Sequence, residues 1–138
     1  MKRIILLFTI ITSLLCISCT NTSLQDTQMI NKEVQILSKI SSIDKYGNIT
    51  LNITTSELLS QGFSYGDEIL ILSDNGYMKK AQISSEYTLE EGSTIIKTGV
   101  ASQPISASIN YGNMAEEGSL TLGENIELKL LYGISTTT

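Results

Sequence analysis

The chain has no His and no Trp, a single Pro (Pro104), a single Arg (Arg3) and two Cys, both within the first nineteen of its 138 residues. The lack of His excludes a Ser-His-Asp triad and a Cys/His zinc site. With Cys16 and Cys19 both at the start, nothing downstream can form a disulfide or supply a thiol nucleophile. Charge of one sign is also scarce: 9 basic residues face 14 acidic ones, a net charge of −5. A nucleic-acid partner needs a basic surface, so none is expected. The chemistry that remains belongs to carboxylates, Lys, Tyr and hydroxyls.

What is present begins with a targeting pattern. Met1-Lys2-Arg3 gives a basic start, and Ile4 through Leu15 forms an apolar run interrupted only by Thr9, Thr12 and Ser13. The run ends near Ile17, short of the roughly 20 residues a spanning helix needs. Leu15-Cys16-Ile17-Ser18-Cys19 then resembles the lipobox of bacterial lipoproteins. Ser18 is the small residue before cleavage and Cys19 the lipid acceptor. Cys16 stands where Leu is usual. The alternatives are an uncleaved anchor or a secreted protein with ordinary cleavage. The reading expected here is a signal peptide over 1–18, a lipidated (palmitate-bearing) Cys19, and a polar tether through residue 33. It places the chain in the bacterial cell envelope, extracytoplasmic, with membrane contact through the lipid on Cys19. Cleavage removes Lys2 and Arg3, so seven basic residues and all fourteen acidic ones remain, a net charge of −7.

From Val34 the pattern becomes that of short strands. Val34–Ile43 alternates imperfectly, and Ile49, Leu51 and Ile53 alternate cleanly with Thr50, Asn52 and Thr54. Asp44-Lys45-Tyr46-Gly47-Asn48 between them is turn chemistry. Thr55–Gly62 reads as one helical turn, capped by Thr or Ser and closed by Gly62. Glu68–Leu72 is a buried strand, and Asp74-Asn75-Gly76 predicts a hairpin with positive φ at both Asn75 and Gly76. Strands follow through Met78–Ile83, Thr94–Lys97, Ile105–Asn110 and Ile126–Leu130. The paired acids Glu90-Glu91 and Glu116-Glu117 lack calcium-loop spacing and read as solvated turns. The fold class expected is mainly β: a small antiparallel β-barrel of six or seven strands with one or two helical turns, over 34–132, and a tail over 133–138.

Two segments echo each other. Tyr46-Gly47-Asn48 recurs as Tyr111-Gly112-Asn113, and Phe63-Ser64-Tyr65-Gly66-Asp67 recurs as Leu120-Thr121-Leu122-Gly123-Glu124. In the second pair the Gly supplies an unusual dihedral and the acid bonds free backbone amides ahead of a strand.

At these residues the chain resembles the C-terminal β-barrel of the S-adenosylmethionine hydroxide adenosyltransferases and their halogenase relatives, fluorinase and chlorinase. The residues that carry the likeness are Asp44-Lys45-Tyr46-Gly47-Asn48 with Leu51-Asn52-Ile53, Leu58-Leu59, Gly66-Asp67-Glu68-Ile69, Ser108 through Ala115, and Leu120 through Ile126. They span roughly residues 34 to 131. The resemblance implies ligand contacts from Asp44, Tyr46, Asn48, Asn113, Met114 and Ala115. An Asn amide offers both a donor and an acceptor to a purine edge, and a Tyr ring offers a stacking face. A turn built on Gly is the structural alternative for the same residues.

The family's N-terminal α/β domain, which holds ribose and activates water or halide, has no counterpart here. The expectation is therefore a non-enzyme: a stand-alone barrel, without catalytic residues, metal or cofactor, that serves partner or envelope interaction. A protein partner or a homo-oligomer is expected. The alternatives are a small-ligand module for adenosine or S-adenosylmethionine, and one half of a split adenosyltransferase.

Overall fold

The structure, a computed structural model, describes residues 33–87 and 90–132. The expected signal peptide, Cys19, most of the tether and the tail lie outside the described residues. Seven strands are present among the described residues: β1 (Gln35–Ile43), β2 (Ile49–Thr54), β3 (Glu68–Ser73), β4 (Met78–Ser84), β5 (Thr94–Lys97), β6 (Pro104–Ile109) and β7 (Asn125–Leu130). Two short helices, α1 (Thr55–Ser60) and α2 (Met114–Gly118), interrupt them. The strands close into a barrel in the order β1-β2-β6-β5-β4-β3-β7, with β7 returning to β1. The barrel expected from the sequence is thus the barrel observed. Among the described residues no helix is long and apolar enough to cross a membrane.

Period-two patterning decides which face fills the barrel. Ile49, Leu51 and Ile53 of β2, Ile69 and Ile71 of β3, and Ile126 and Leu128 of β7 all point inward and are buried. Ile96 of β5, Ile105 and Ala107 of β6, and Ile40 of β1 complete the filling. The interior is dominated by Ile, whose branched side chain loses little freedom on a pleated surface. Closure also removes the free edges that make open sheets prone to pairing with other chains.

One pairing departs from the antiparallel expectation. β4 and β5 run parallel over a three-residue register, Gln82↔Ile95 to Ser84↔Lys97. The two strands therefore need a crossover connection, because parallel neighbours cannot be joined by a tight turn. Ile95 and Ser108, paired across β5 and β6 on the outer face, are both buried although Ile95 lies outside the main core cluster.

The local signals around α1 hold, and the β3–β4 hairpin needs a revision. Thr54 caps α1: its side chain accepts from the Glu57 amide, and the Glu57 carboxylate accepts from the Thr54 amide at 2.7 Å. Gly62, just past the C-cap, takes φ +105°. In the β3–β4 hairpin only Gly76 has positive φ, at +91°, so Asn75 does not share the left-handed conformation expected of it. The Gly76 amide donates to the Ser73 carbonyl, and the Ser73 amide to the Tyr77 carbonyl. This is a three-residue loop with Gly at the left-handed position. The Asn75 side chain is used instead to receive the Tyr77 amide and to donate to Gly118 at 2.8 Å.

Cores of packed side chains relax only partly around a deleted group. Ile71→Ala, at a fully buried site, is expected to cost about 2–5 kcal/mol in urea unfolding. Leu37→Ala, on the exposed face of β1, is expected to stay within about 0.5 kcal/mol. Equal losses at the two positions would contradict the assignment of faces.

Candidate functional site

The two Gly-acid segments show why the echo exists. Gly66 and Gly123 have φ of +86° and +80°. The Asp67 carboxylate accepts from the Ser64 amide at 2.7 Å, and the Glu124 carboxylate from the Thr121 amide at 3.0 Å. Gly66 donates to the Ile83 carbonyl, and the Ile83 amide donates back to Asp67. Gly123 and Glu124 treat Ile40 in the same way. Phe63 and Leu120 ahead of them are buried. Each segment is a stirrup that launches a strand, β3 or β7, and neither acid lines the cleft described next.

The other echo brings its two copies together. In the β1–β2 turn, Gly47 has φ +79° and its amide donates to the Asp44 carbonyl. The Asp44 carboxylate accepts from the amides of Tyr46 and Asn48, and from the Asn48 side chain at 2.9 Å. Partial desolvation pushes the Asp44 carboxyl up, but these hydrogen bonds from Asn48, Tyr46 and Gly47 outweigh it and hold the group below the usual carboxylate range. A Cβ on Gly47 would lie 1.7 Å from the Asn113 Oδ1. The Ala115 amide donates to the Gly47 carbonyl at 3.0 Å. The second copy bends differently: Tyr111 itself takes the left-handed conformation at φ +56°, and the Gly112 amide donates to Ile109.

Helix α2 is braced from both sides. Asn113 is its N-cap, accepting from the Glu116 amide at 2.9 Å. Met114 is fully buried in the core. On the far side Glu117 accepts from the Tyr77 hydroxyl at 3.0 Å and from Lys79 at 2.7 Å. Lys79 holds the Glu117 carboxyl below its ordinary range, while desolvation and the adjacent carboxylate raise the Tyr77 phenol. Glu117 is therefore committed to a clamp, not left as the solvated acid the sequence suggested.

Between the β1–β2 turn and the end of β6 lies a cleft of about 340 Å³, lined by Tyr46, Asn48, Tyr87, Ser108, Ile109, Asn110, Tyr111 and Gly112. Tyr46, Tyr87 and Tyr111 are 63%, 64% and 84% exposed. Lys45 sits 4.8 Å from the Tyr46 ring centre and Lys97 5.2 Å from that of Tyr87. The Lys97 ammonium also donates to the Ser85 carbonyl. Among the described residues the lining holds no carboxylate, lysine or thiol.

Of the six candidate ligand residues, the structure brings Tyr46 and Asn48 to this cleft. Asp44, Asn113, Met114 and Ala115 serve the turn, the cap, the core and the turn–helix contact. Sequence reasoning did not reach Tyr87, which the connection between the parallel strands delivers, nor the cleft roles of Ser108, Ile109 and Asn110. Two signals touched that wall, the Tyr111-Gly112 echo and the Ser108–Ala115 segment that carries the resemblance.

No family model and no curated protein matches the chain. Among solved structures it is similar to the crystal structure of an uncharacterized conserved protein from Thermotoga maritima, with a TM-score of 0.60 and 18% identity. That match covers 67% of this chain and 35% of the other. A conserved hypothetical protein from Thermus thermophilus gives a TM-score of 0.46 at 16% identity, over 69% of this chain and 32% of the other. The Thermotoga likeness shows the fold alone. The chain spans about a third of the length of either protein.

The Gly47 contact yields a graded expectation. Gly123→Ala, where nothing crowds the position, should cost about 1–2 kcal/mol for the left-handed backbone. Gly47→Ala should cost more in the same urea titration, because the new methyl displaces the Asn113 cap as well. A Gly47→Ala loss no larger than that of Gly123→Ala would show the approach to be slack. The pH dependence follows from Asp44. Its pKa is lowered on folding, so the stability it contributes is fully present above its ordinary pKa of 3.8 and is lost as pH falls through the lower folded value. Asp44→Asn should flatten that acid limb of the urea midpoint against pH, and an unchanged limb would remove Asp44 as its source.

Proposed function

We propose that the protein is a lipid-anchored, extracytoplasmic, non-catalytic barrel that works by contact with a partner or an envelope component. The lipobox-like Leu15–Cys19 motif supports the anchor. The observation that carries the contact reading is the cleft: an uncharged lining of Tyr, Asn, Ser, Ile and Gly on an acidic domain. Tyr, Ser, Gly and Asn are the residues that recognition loops favour, because rigid rings supply area and small polar groups supply adaptable hydrogen bonds. The resemblance of residues 34 to 131 to the C-terminal barrel of the S-adenosylmethionine hydroxide adenosyltransferases, a domain that leaves ribose binding and water activation to its N-terminal partner, supports the non-catalytic part of this reading.

A second reading has its own observation. Tyr46 and Asn48, two of the six residues that the resemblance implies as ligand contacts, line the same cleft. A small-ligand module for adenosine or S-adenosylmethionine would use them. Against it, one amide hydrogen of Asn48 is already given to Asp44. Three mostly exposed rings also enclose less than the 70–90% of ligand surface that small-molecule pockets typically bury.

The anchor is tested by labelling cells with an alkyne fatty acid: the wild-type chain and Cys16→Ser should take the label and Cys19→Ser should not. The surface is tested in the same cells with a photo-crosslinking amino acid. Placed at Tyr111 or Tyr87 it should yield a discrete adduct, and at Tyr65, on the turn opening β3, it should not. No adduct from the cleft positions would overturn the contact reading. Saturable thermal stabilisation by adenosine or S-adenosylmethionine, abolished in Asn48→Ala, would favour the second reading instead.

A further inference from the structure

The donors and acceptors of the cleft are fixed by what surrounds it. Asn48 Nδ2 donates to the Asp44 carboxylate, and Asn110 Nδ2 donates to the Glu90 carbonyl at 2.9 Å. Each carboxamide is therefore held by its nitrogen. Among the described residues neither side-chain oxygen has a hydrogen-bond partner. The backbone of Asn110 is already used, its amide by Ser93 and its carbonyl by Gly92. The cleft thus offers side-chain acceptors and phenol hydroxyls, and no open strand edge at Asn110.

Its apolar surface has an equally particular form. Ile109 is 6% exposed and leaves no hole for an aliphatic anchor. What is presented is ring face. Lys45 and Lys97 each lie against one tyrosine ring, Tyr46 and Tyr87, at cation–π distance. Tyr111 is projected by a left-handed backbone that is unfavourable for a residue with a Cβ, and it gains no burial in return.

A ligand suited to this surface must bring hydroxyl donors at its edge and polarised C–H groups on a flat face, since an aromatic face is negative and its attraction is for positive edges. It must also carry no charge that the lining would leave unpaired. A peptide answers these demands poorly. It would seek a strand edge or an apolar pocket for its side chains, and hot spots form in enclosed pockets. Taking the cleft as the contact surface inferred above, we propose that it binds an uncharged oligosaccharide. Pyranose faces stack on Tyr46, Tyr87 and Tyr111, and hydroxyls donate to the oxygens of Asn48 and Asn110.

The test titrates the full-length protein, held in a detergent without a sugar headgroup, with short oligomers of β-1,4-linked N-acetylglucosamine, β-1,4-linked glucose and α-1,4-linked glucose. Saturation-transfer difference NMR reads the sugar protons directly. At least one oligomer should bind saturably with Kd of about 0.1–1 mM. Tyr46→Ala and Tyr111→Gly should each weaken it about three- to tenfold, while Tyr46→Phe, which keeps the face, should not. Tyr111→Gly relieves a left-handed backbone, so the fold is expected to survive it, and the unfolding midpoint checks this. Failure of all three oligomers, or binding indifferent to Tyr46→Ala and Tyr111→Gly, overturns the proposal. If protein adducts from Tyr111 persist alongside that failure, the surface stands and its ligand is a protein. If neither appears, both readings fall.

Discussion

The cleft end of this barrel depends on one close approach. The Cα of Gly47 lies so near the Asn113 carboxamide that no side chain could stand between them. That contact, with the Ala115 amide bonded to the Gly47 carbonyl, docks the start of α2 on the β1–β2 turn. A helix of five residues has no stability of its own. It persists because the turn grips its first residues and the Tyr77–Glu117–Lys79 clamp grips its last. The segment from Asn110 to Gly112 leads directly into that helix, so the cleft wall is set by a contact made outside it.

The barrel's main supports are built twice. Phe63 to Asp67 and Leu120 to Glu124 use the same parts: a buried apolar residue, a left-handed Gly, and an acid that folds back on an amide. Each then exchanges backbone hydrogen bonds with one Ile, Ile83 in β4 or Ile40 in β1. The acids in these stirrups are structural, and so is Asp44, which ties its own turn. On a strongly acidic chain this leaves the cleft lining without carboxylates, a division of labour that the net charge alone would not reveal.

Much of the fold was legible because it rests on local rules. Alternation in Ile49–Thr54 and Ile126–Leu130, and Gly before an acid, each point to one conformation, and the structure adopts it. The parallel seam of β4 and β5 was not legible, since strand direction is settled by which neighbours remain when the barrel closes. The same gap hid Tyr87. No pattern around it marks a site; only the return path forced by that seam carries it beside Tyr46 and Asn110. For Met114 and Asn113, the resemblance implied ligand contact, while their positions at a helix start turned one inward and made the other a cap.

The two ends of the barrel meet. The Leu130 amide bonds the Val34 carbonyl, and Lys129 pairs with Glu33 at 3.1 Å. Entry and exit therefore stand side by side, while the β1–β2 turn and the end of β6 frame the cleft elsewhere. A domain built this way can be spliced into a polypeptide as a plug-in unit, because joining sequence to either end asks nothing of its seven strands. Such portability is in keeping with a likeness that occupies 35% of a longer Thermotoga chain.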